Sequence, residues 1–218
     1  MKKGLTEMVF ILDRSGSMKN LEKQTIDSFN EMIAKQKNVV GEAVISTVLF
    51  DHEILLFHNR IDLKEILPLT CEHYFARGTT ALYDAIGKTI SRISRYQENL
   101  FDNEKPEKTI VVIITDGMEN ASSEYRLPTI KRMIEVQKSQ NSWEFLFLGA
   151  NIDAVETARS FGISGNYAAD YQPDAYGTSA SYCAVEDAIR SYREDKVINP
   201  NWKDKLKDDS MKKKERNK

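Results

Sequence analysis

The sequence predicts a doubly wound α/β domain, and three observations carry that expectation. Unbroken apolar runs (Met8 to Leu12, Thr109 to Ile114, Phe145 to Leu148) alternate with amphipathic segments along the chain. Two of these runs end abruptly in an aspartate, Asp13 and Asp116, each followed closely by glycine. The segment from Ala81 to Arg95 places Leu82, Ala85, Ile86, Thr89, Ile90 and Ile93 on one helical face. Apolar runs without polar alternation fit strands buried on both faces, as in a parallel sheet covered by helices. In such sheets, ligands sit at the C-terminal ends of the strands, where Asp13 and Asp116 would emerge.

The elements follow in order. After Asp13 comes the loop Arg14-Ser15-Gly16-Ser17, then a helix over Leu21 to Lys37 with Ile26, Phe29 and Ile33 facing inward. Ala43 to Phe50 and Glu53 to Asn59 are two strands separated only by Asp51-His52, so they form an antiparallel hairpin at a sheet edge. Residues 60–77 read as irregular, with one helical turn around Leu63 to Ile66. Gly78-Thr79-Thr80 leads into the helix from Ala81, and Gln97 to Lys108 is a polar surface loop. Lys108 to Thr115 is a buried strand, and Leu127-Pro128-Thr129 starts a helix running to Ser139. Glu144 to Gly149 is a further strand, followed by a short helix over Asp153 to Phe161, with Asp153 as its N-terminal signal. Tyr167 to Ala169 is a last strand and Ser179 to Lys196 a last helix. The expected organisation is one domain over residues 1–198, then a charged, disordered tail over 199–218.

Composition limits the function classes. With 31 Lys and Arg against 33 Asp and Glu, the net charge of −2 gives no reason to expect nucleic acid or an anionic membrane as partner. No apolar run is long enough to span a bilayer, and the first residues lack a signal-peptide pattern, so a cytoplasmic location is expected. Cys71 and Cys183 have no paired spacing and are expected to be reduced thiols. His52, His58 and His73 lack metal-ligand spacing and are expected in surface or core roles away from the site.

The chemistry gathers at strand ends. Asp13, Ser15 and Ser17 offer a carboxylate and two hydroxyls, a threonine comes from Gly78-Thr79-Thr80, and Asp116 adds a second carboxylate. All are hard oxygen donors, suited to Mg²⁺ first, with Mn²⁺ or Ca²⁺ as alternatives. These oxygens leave a position open for an outside ligand, since Mg²⁺ takes about six. Arg14 and Met18 flank this loop, either as partner contacts or through exposure and packing; Glu119 and Asn120 are expected to cap a loop or helix, and Asp84 to favour helix initiation.

The Asp13-Arg14-Ser15-Gly16-Ser17 element resembles the Asp-x-Ser-x-Ser metal-ion-dependent adhesion site (MIDAS) of the von Willebrand factor A domain family. Thr80-Ala81-Leu82-Tyr83-Asp84 resembles that family's threonine element, and Thr115-Asp116-Gly117 its third element. The resemblance covers Met8 to Lys196. It implies a Rossmann-like, mostly parallel six-stranded sheet of order 3-2-1-4-5-6 with one antiparallel edge strand. It also implies a metal site of Asp13, Ser15, Ser17, Thr80 and Asp116 and no catalytic activity. The partner implied is a protein offering Asp or Glu to the metal, such as an AAA+ ATPase or a larger complex. The family often has Gly-Gly-Thr where this chain has Gly78-Thr79-Thr80; counting back from Ile86 selects Thr80 as the ligand and keeps Thr79 as the alternative. A second reading is a Mg²⁺-dependent phosphohydrolase using Asp13. Against it, the residue two places after Asp13 is Ser15 rather than an acid, and no Walker loop is present.

Overall fold

The computed structural model describes residues 1–206. Its centre is a six-stranded sheet of order β3-β2-β1-β4-β5-β6. The strands are β1 (Lys2–Asp13), β2 (Glu42–Phe50), β3 (Ile54–Asp62), β4 (Pro106–Thr115), β5 (Glu144–Gly149) and β6 (Ala168–Asp170). The helices are α1 (Glu22–Gln36), α2 (Leu82–Glu98), α3 (Leu127–Asn141), α4 (Ala154–Ser160) and α5 (Ala175–Asp195). Every neighbouring pair is parallel except β2 with β3, the expected edge hairpin.

The central strands are apolar on both faces because both faces are covered. On β1, Met8, Phe10 and Leu12 pack with α1 and α5, while Val9 and Ile11 pack with α2 and α3. On β4, Ile110, Val112 and Ile114 join the first layer, and Val111 and Ile113 the second. The period-two alternation of strand side chains thus feeds two cores rather than one core and solvent.

Several boundaries move. The strand predicted from Met8 begins at Lys2, and α5 begins at Ala175 rather than Ser179 because Asp174 accepts a hydrogen bond from Gly177 N at 2.8 Å. The helical turn expected around Leu63 to Ile66 is only a hydrogen-bonded turn over residues 63–65. The domain does not end at residue 198. Trp202 is buried and its Nε1 donates to Asn166 O at 2.9 Å, while Lys203 Nζ donates to Gly165 O and Ala168 O, and Leu206 closes the core layer. One tryptophan supplies enough apolar surface to hold a charged segment against the domain. The remainder of the expected tail, residues 207–218, lies outside the described residues.

Two polar features pin the elements. Arg193 on α5 is 5% exposed; it donates to Gln36 O at 2.7 Å, Gln36 Oε1 at 3.0 Å, Val39 O at 3.3 Å and Gly41 O at 3.1 Å. It ties the end of α5 to the α1–β2 connection. Replacing Arg193 by Leu is expected to lower unfolding free energy by about 3 kcal/mol in urea titration, because buried carbonyls lose their donor. His58 on β3 is buried; in its neutral form it accepts from Thr47 Oγ1 and donates to Leu67 O, both at 3.0 Å. Burial brings its pKa down from 6.5 to about 4, against the Leu67 carbonyl and with help from His73. The unfolded chain therefore binds the extra proton first. Stability held above pH 6.5 is expected to decline as pH falls towards 4, and His58→Gln to flatten that slope in denaturation measured across this range.

Candidate metal centre

β1 and β4 run side by side with Leu12 opposite Ile114, so their ends bring Asp13 and Thr115 together and place Asp116 next to them. Asp13 is 1% exposed. Its Oδ1 accepts from Ser15 N at 2.7 Å, and its Oδ2 from Thr115 Oγ1 at 2.6 Å. Below it, the buried Tyr74 hydroxyl donates to Asp13 O. Ser15 Oγ and Ser17 Oγ lie 3.0 Å apart, and Ser17 Oγ donates to Asp116 Oδ1 at 2.5 Å. A Cβ built on Gly117 would lie 3.5 Å from both Ser17 Oγ and Thr80 Oγ1. Asp13, Ser15, Ser17, Asp116 and Thr80 therefore form one connected cluster, drawn from three loops.

The threonine loop is held by backbone geometry. Gly16 N donates to Gly78 O at 3.1 Å. Gly78 has φ +65°, and a Cβ there would fall 2.0 Å from His52 Nδ1, so only glycine fits. Thr80 is buried and its N donates to Asn120 Oδ1 at 2.9 Å, whereas Thr79 is exposed. Of the two threonines, Thr80 is the one beside Ser17 and Gly117.

The electrostatics are those of a centre short of positive charge. Burial raises the Asp13 pKa to about 6, against the lowering by its Thr115 and Ser15 hydrogen bonds, and Asp116 adds to the rise. Burial also raises Asp116, whose Oδ2 is buried with no hydrogen-bond partner. An unpartnered carboxylate oxygen in such a place is costly unless something cationic meets it. The residues present thus fit a hard divalent cation, whose bridging oxygens would come from Asp13, Ser15, Ser17, Thr80 and Asp116.

Several flanking residues have structural work instead. Arg14 is buried, ion-paired with Asp51 (Nε to Oδ2 2.9 Å), and donates to His73 O at 3.2 Å; Met18 is buried as well. As buried side chains, Met18 follows the packing alternative expected for it and Arg14 is packed rather than exposed. Glu119 accepts from Tyr83 N, Ala121 N, Ser122 N and Ser122 Oγ, and so caps its loop. Asp84 accepts from the backbone N–H groups of Ser123, Glu124 and Tyr125. Burial opposes ionisation there, yet these donors hold its carboxyl below the usual range. It lies in the first turn of α2, as expected, and also clamps the loop after Asp116.

His52 does not lie away from the site, since it packs on Gly78. Asp51, His52 and Glu53 bring their ligand atoms within 4.8 Å of one another, a second grouping able to hold a metal. Its carboxylates are already neutralised: Asp51 Oδ2 meets both Arg14 Nε and Arg77 Nε at 2.9 Å, and Arg77 also pairs with Glu53. Sequence reading missed this cluster because a contiguous Asp-His-Glu at a hairpin looks like turn chemistry. It takes Thr115 only as part of the third element and does not anticipate its hydrogen bond to Asp13 Oδ2.

Comparison with known proteins agrees with this architecture. Neither a family model nor a curated protein sequence matches the chain. Among solved structures, the proximal thread matrix protein 1 of the mussel byssus aligns at TM-score 0.59 and 14% identity, covering 87% of this chain and 46% of that one. That protein has also been solved with a zinc-occupied MIDAS motif. The ArnB paralog VWA2 from Sulfolobus acidocaldarius aligns at 0.52 and 19% identity, covering 86% and 45%. The vWF domain of the type V pili tip protein Mfa5 from Porphyromonas gingivalis aligns at 0.60 and 12% identity, covering 89% and 96%. The chain spans less than half the length of the first two. It has the Rossmann-like fold of the von Willebrand factor type A domains. No helix among the described residues is long and apolar enough to cross a membrane.

The two threonines make a direct test of the centre. Thr80→Ala is expected to weaken Mg²⁺ binding by about tenfold or more in titration calorimetry, through loss of one oxygen. Thr79→Gly is expected to leave it unchanged.

Proposed function

We propose that this domain is a divalent-metal-dependent protein-binding module, whose ion captures an acidic side chain of a partner protein. The observation that carries this reading is the buried, unpartnered Asp116 Oδ2 beside the desolvated Asp13 carboxylate. Asp13, Ser15, Ser17, Thr80 and Asp116 supply only hard oxygens, which favours Mg²⁺, with Mn²⁺ or Ca²⁺ as alternatives. When bound, the ion supplies an electrophilic position for the carboxylate of a partner Asp or Glu. The neutral hydroxyls of Ser15, Ser17 and Thr80 support this by adding no further negative charge.

The surroundings suit a protein ligand. Beside Gly117, a cavity of about 240 Å³ lies between Tyr83, Met118, Ile152 and Phe161, with Glu119 and Glu156 also in its lining. Met118 is 74% exposed at its edge. This gives an apolar seat for the side chain flanking the captured acid. An AAA+ ATPase or another large complex is the class of partner this reading favours. The reading places the module in the cytoplasm, a setting compatible with the free thiols Cys71 and Cys183. A phosphohydrolase using Asp13 as nucleophile would be expected to carry a general acid two residues on, but Ser15 stands there and is engaged with Ser17. The module is therefore read as a binder and not an enzyme.

A pull-down with the full chain tests this reading. The wild type is expected to retain a partner in Mg²⁺ and lose it in chelator, and Asp13→Asn to lose it in both. Equal recovery in all lanes would end the metal-capture reading. Metal-dependent turnover of phosphoesters that disappears in Asp13→Asn would replace it with a hydrolase.

A further inference from the structure

On the α2 flank of the sheet, a groove of about 750 Å³ runs between β3 and α2. Four cationic side chains line it, Arg60, Lys88, Arg92 and Arg95, with no Asp or Glu among its lining residues. Tyr96 and Tyr125 form aromatic walls, and Asn59 and Asn99 add amide groups. In a chain of net charge −2, this concentration of positive charge is local and not a reflection of composition.

Two features that weaken the isolated helix converge on this groove. Lys88, Arg92 and Arg95 fall at i, i+4 and i+7 of α2, and like charges at such spacing disfavour a helix. Gly87 lies in the interior of α2, where glycine is a poor helix former. A Cβ at Gly87 would fall 2.4 to 2.6 Å from ring atoms of Tyr125, so the glycine is what lets that ring lie against the helix. The Tyr125 hydroxyl is further held 3.3 Å from Ser91 Oγ. Helix propensity is thus given up on both counts to shape the groove's wall and charge.

The cations divide into two sets. Arg60 stacks its guanidinium 4.2 Å from the Tyr96 ring centroid and is paired with the buried Glu7, so it is a fixed wall. Lys88 is paired with Glu124 at 2.6 Å, both partly in solvent. Arg92 and Arg95 are exposed and have no acidic partner among the described residues. Lys88 to Arg95 spans roughly 10 Å of helix. That is a row of guanidinium and ammonium donors, not a single fork for one carboxylate. Guanidinium forks suit phosphate oxygens, and the half-exposed Tyr96 ring, with Arg60 on one face, suits a planar ring on the other.

We propose that this groove binds a nucleoside polyphosphate, with its phosphates along Lys88, Arg92 and Arg95 and its base against Tyr96 and Tyr125. The site is separate from the metal cluster and does not depend on it. The test is titration of the full chain with ATP in buffer containing chelator, read by calorimetry. Saturable binding is expected, at least about tenfold tighter than for inorganic triphosphate, because the base adds stacking. Arg92→Gln with Arg95→Gln is expected to weaken ATP by at least about tenfold, and Asp13→Asn to leave it unchanged. Gly87→Ala, which pushes Tyr125 out, is expected to weaken ATP while leaving helix content intact by circular dichroism. Three results would overturn the proposal. One is no saturable binding at millimolar ATP, and another is equal binding by the double variant. The third is an acidic peptide that binds as tightly as ATP and competes with it.

Discussion

Everything at the functional end of this protein depends on placing two carboxylates, Asp13 and Asp116, side by side and out of water. The neighbouring strands β1 and β4 impose that placement, because parallel pairing in register brings their ends to the same level. Asp13 receives hydrogen bonds from Ser15 N and Thr115, and Asp116 receives one from Ser17, but Asp116 Oδ2 receives none. Burial makes both harder to ionise. The folded chain therefore carries a local electrostatic penalty that a bound cation would relieve, and the cluster's stability and its affinity for metal are two sides of that penalty.

The loops around the pair are arranged so that the penalty is not relieved by collapse. Arg14 could have neutralised the neighbouring carboxylates, but it is drawn away to Asp51, where Arg77 also binds. Gly16 N on Gly78 O locks the first loop to the threonine loop, and His52 occupies the space any side chain at residue 78 would need. Asp84 and Glu119 fix the loop after Asp116 through its backbone N–H groups. The cationic side chains nearest the cluster thus serve the scaffold, and the carboxylate cluster keeps its negative character.

The two surfaces singled out for binding lie on different parts of the sheet and use opposite charge. The strand ends gather carboxylates and hydroxyls. The β3–α2 flank gathers arginines, a lysine and tyrosines. Glu7 illustrates how the second surface is tied to the core: it is fully buried on β1 and holds Arg60 and Gln97. A buried carboxylate of this kind is tolerated only with partners in place, which is why Arg60 is rigid rather than free.

Sequence alone determined the parts of this protein that rest on local patterns. Apolar runs gave β1, β4 and β5; helical spacing gave α2; the close Asp51-His52 turn gave the edge hairpin. The Asp13, Ser15 and Ser17 loop and Asp116 were legible as a candidate cluster from residue type and spacing, and Thr80 from the family resemblance; the fold brings these residues together. What depended on contacts distant in sequence was not legible. The packing of residues 199–206 rested on Trp202 meeting Asn166. His52 at Gly78, Arg14 withdrawn to Asp51, Thr115 behind Asp13 and the groove of Arg60 with Arg92 and Arg95 each join separate segments. Only the folded chain could decide these, since pairing partners and burial exist only once the strands have been ordered in the sheet.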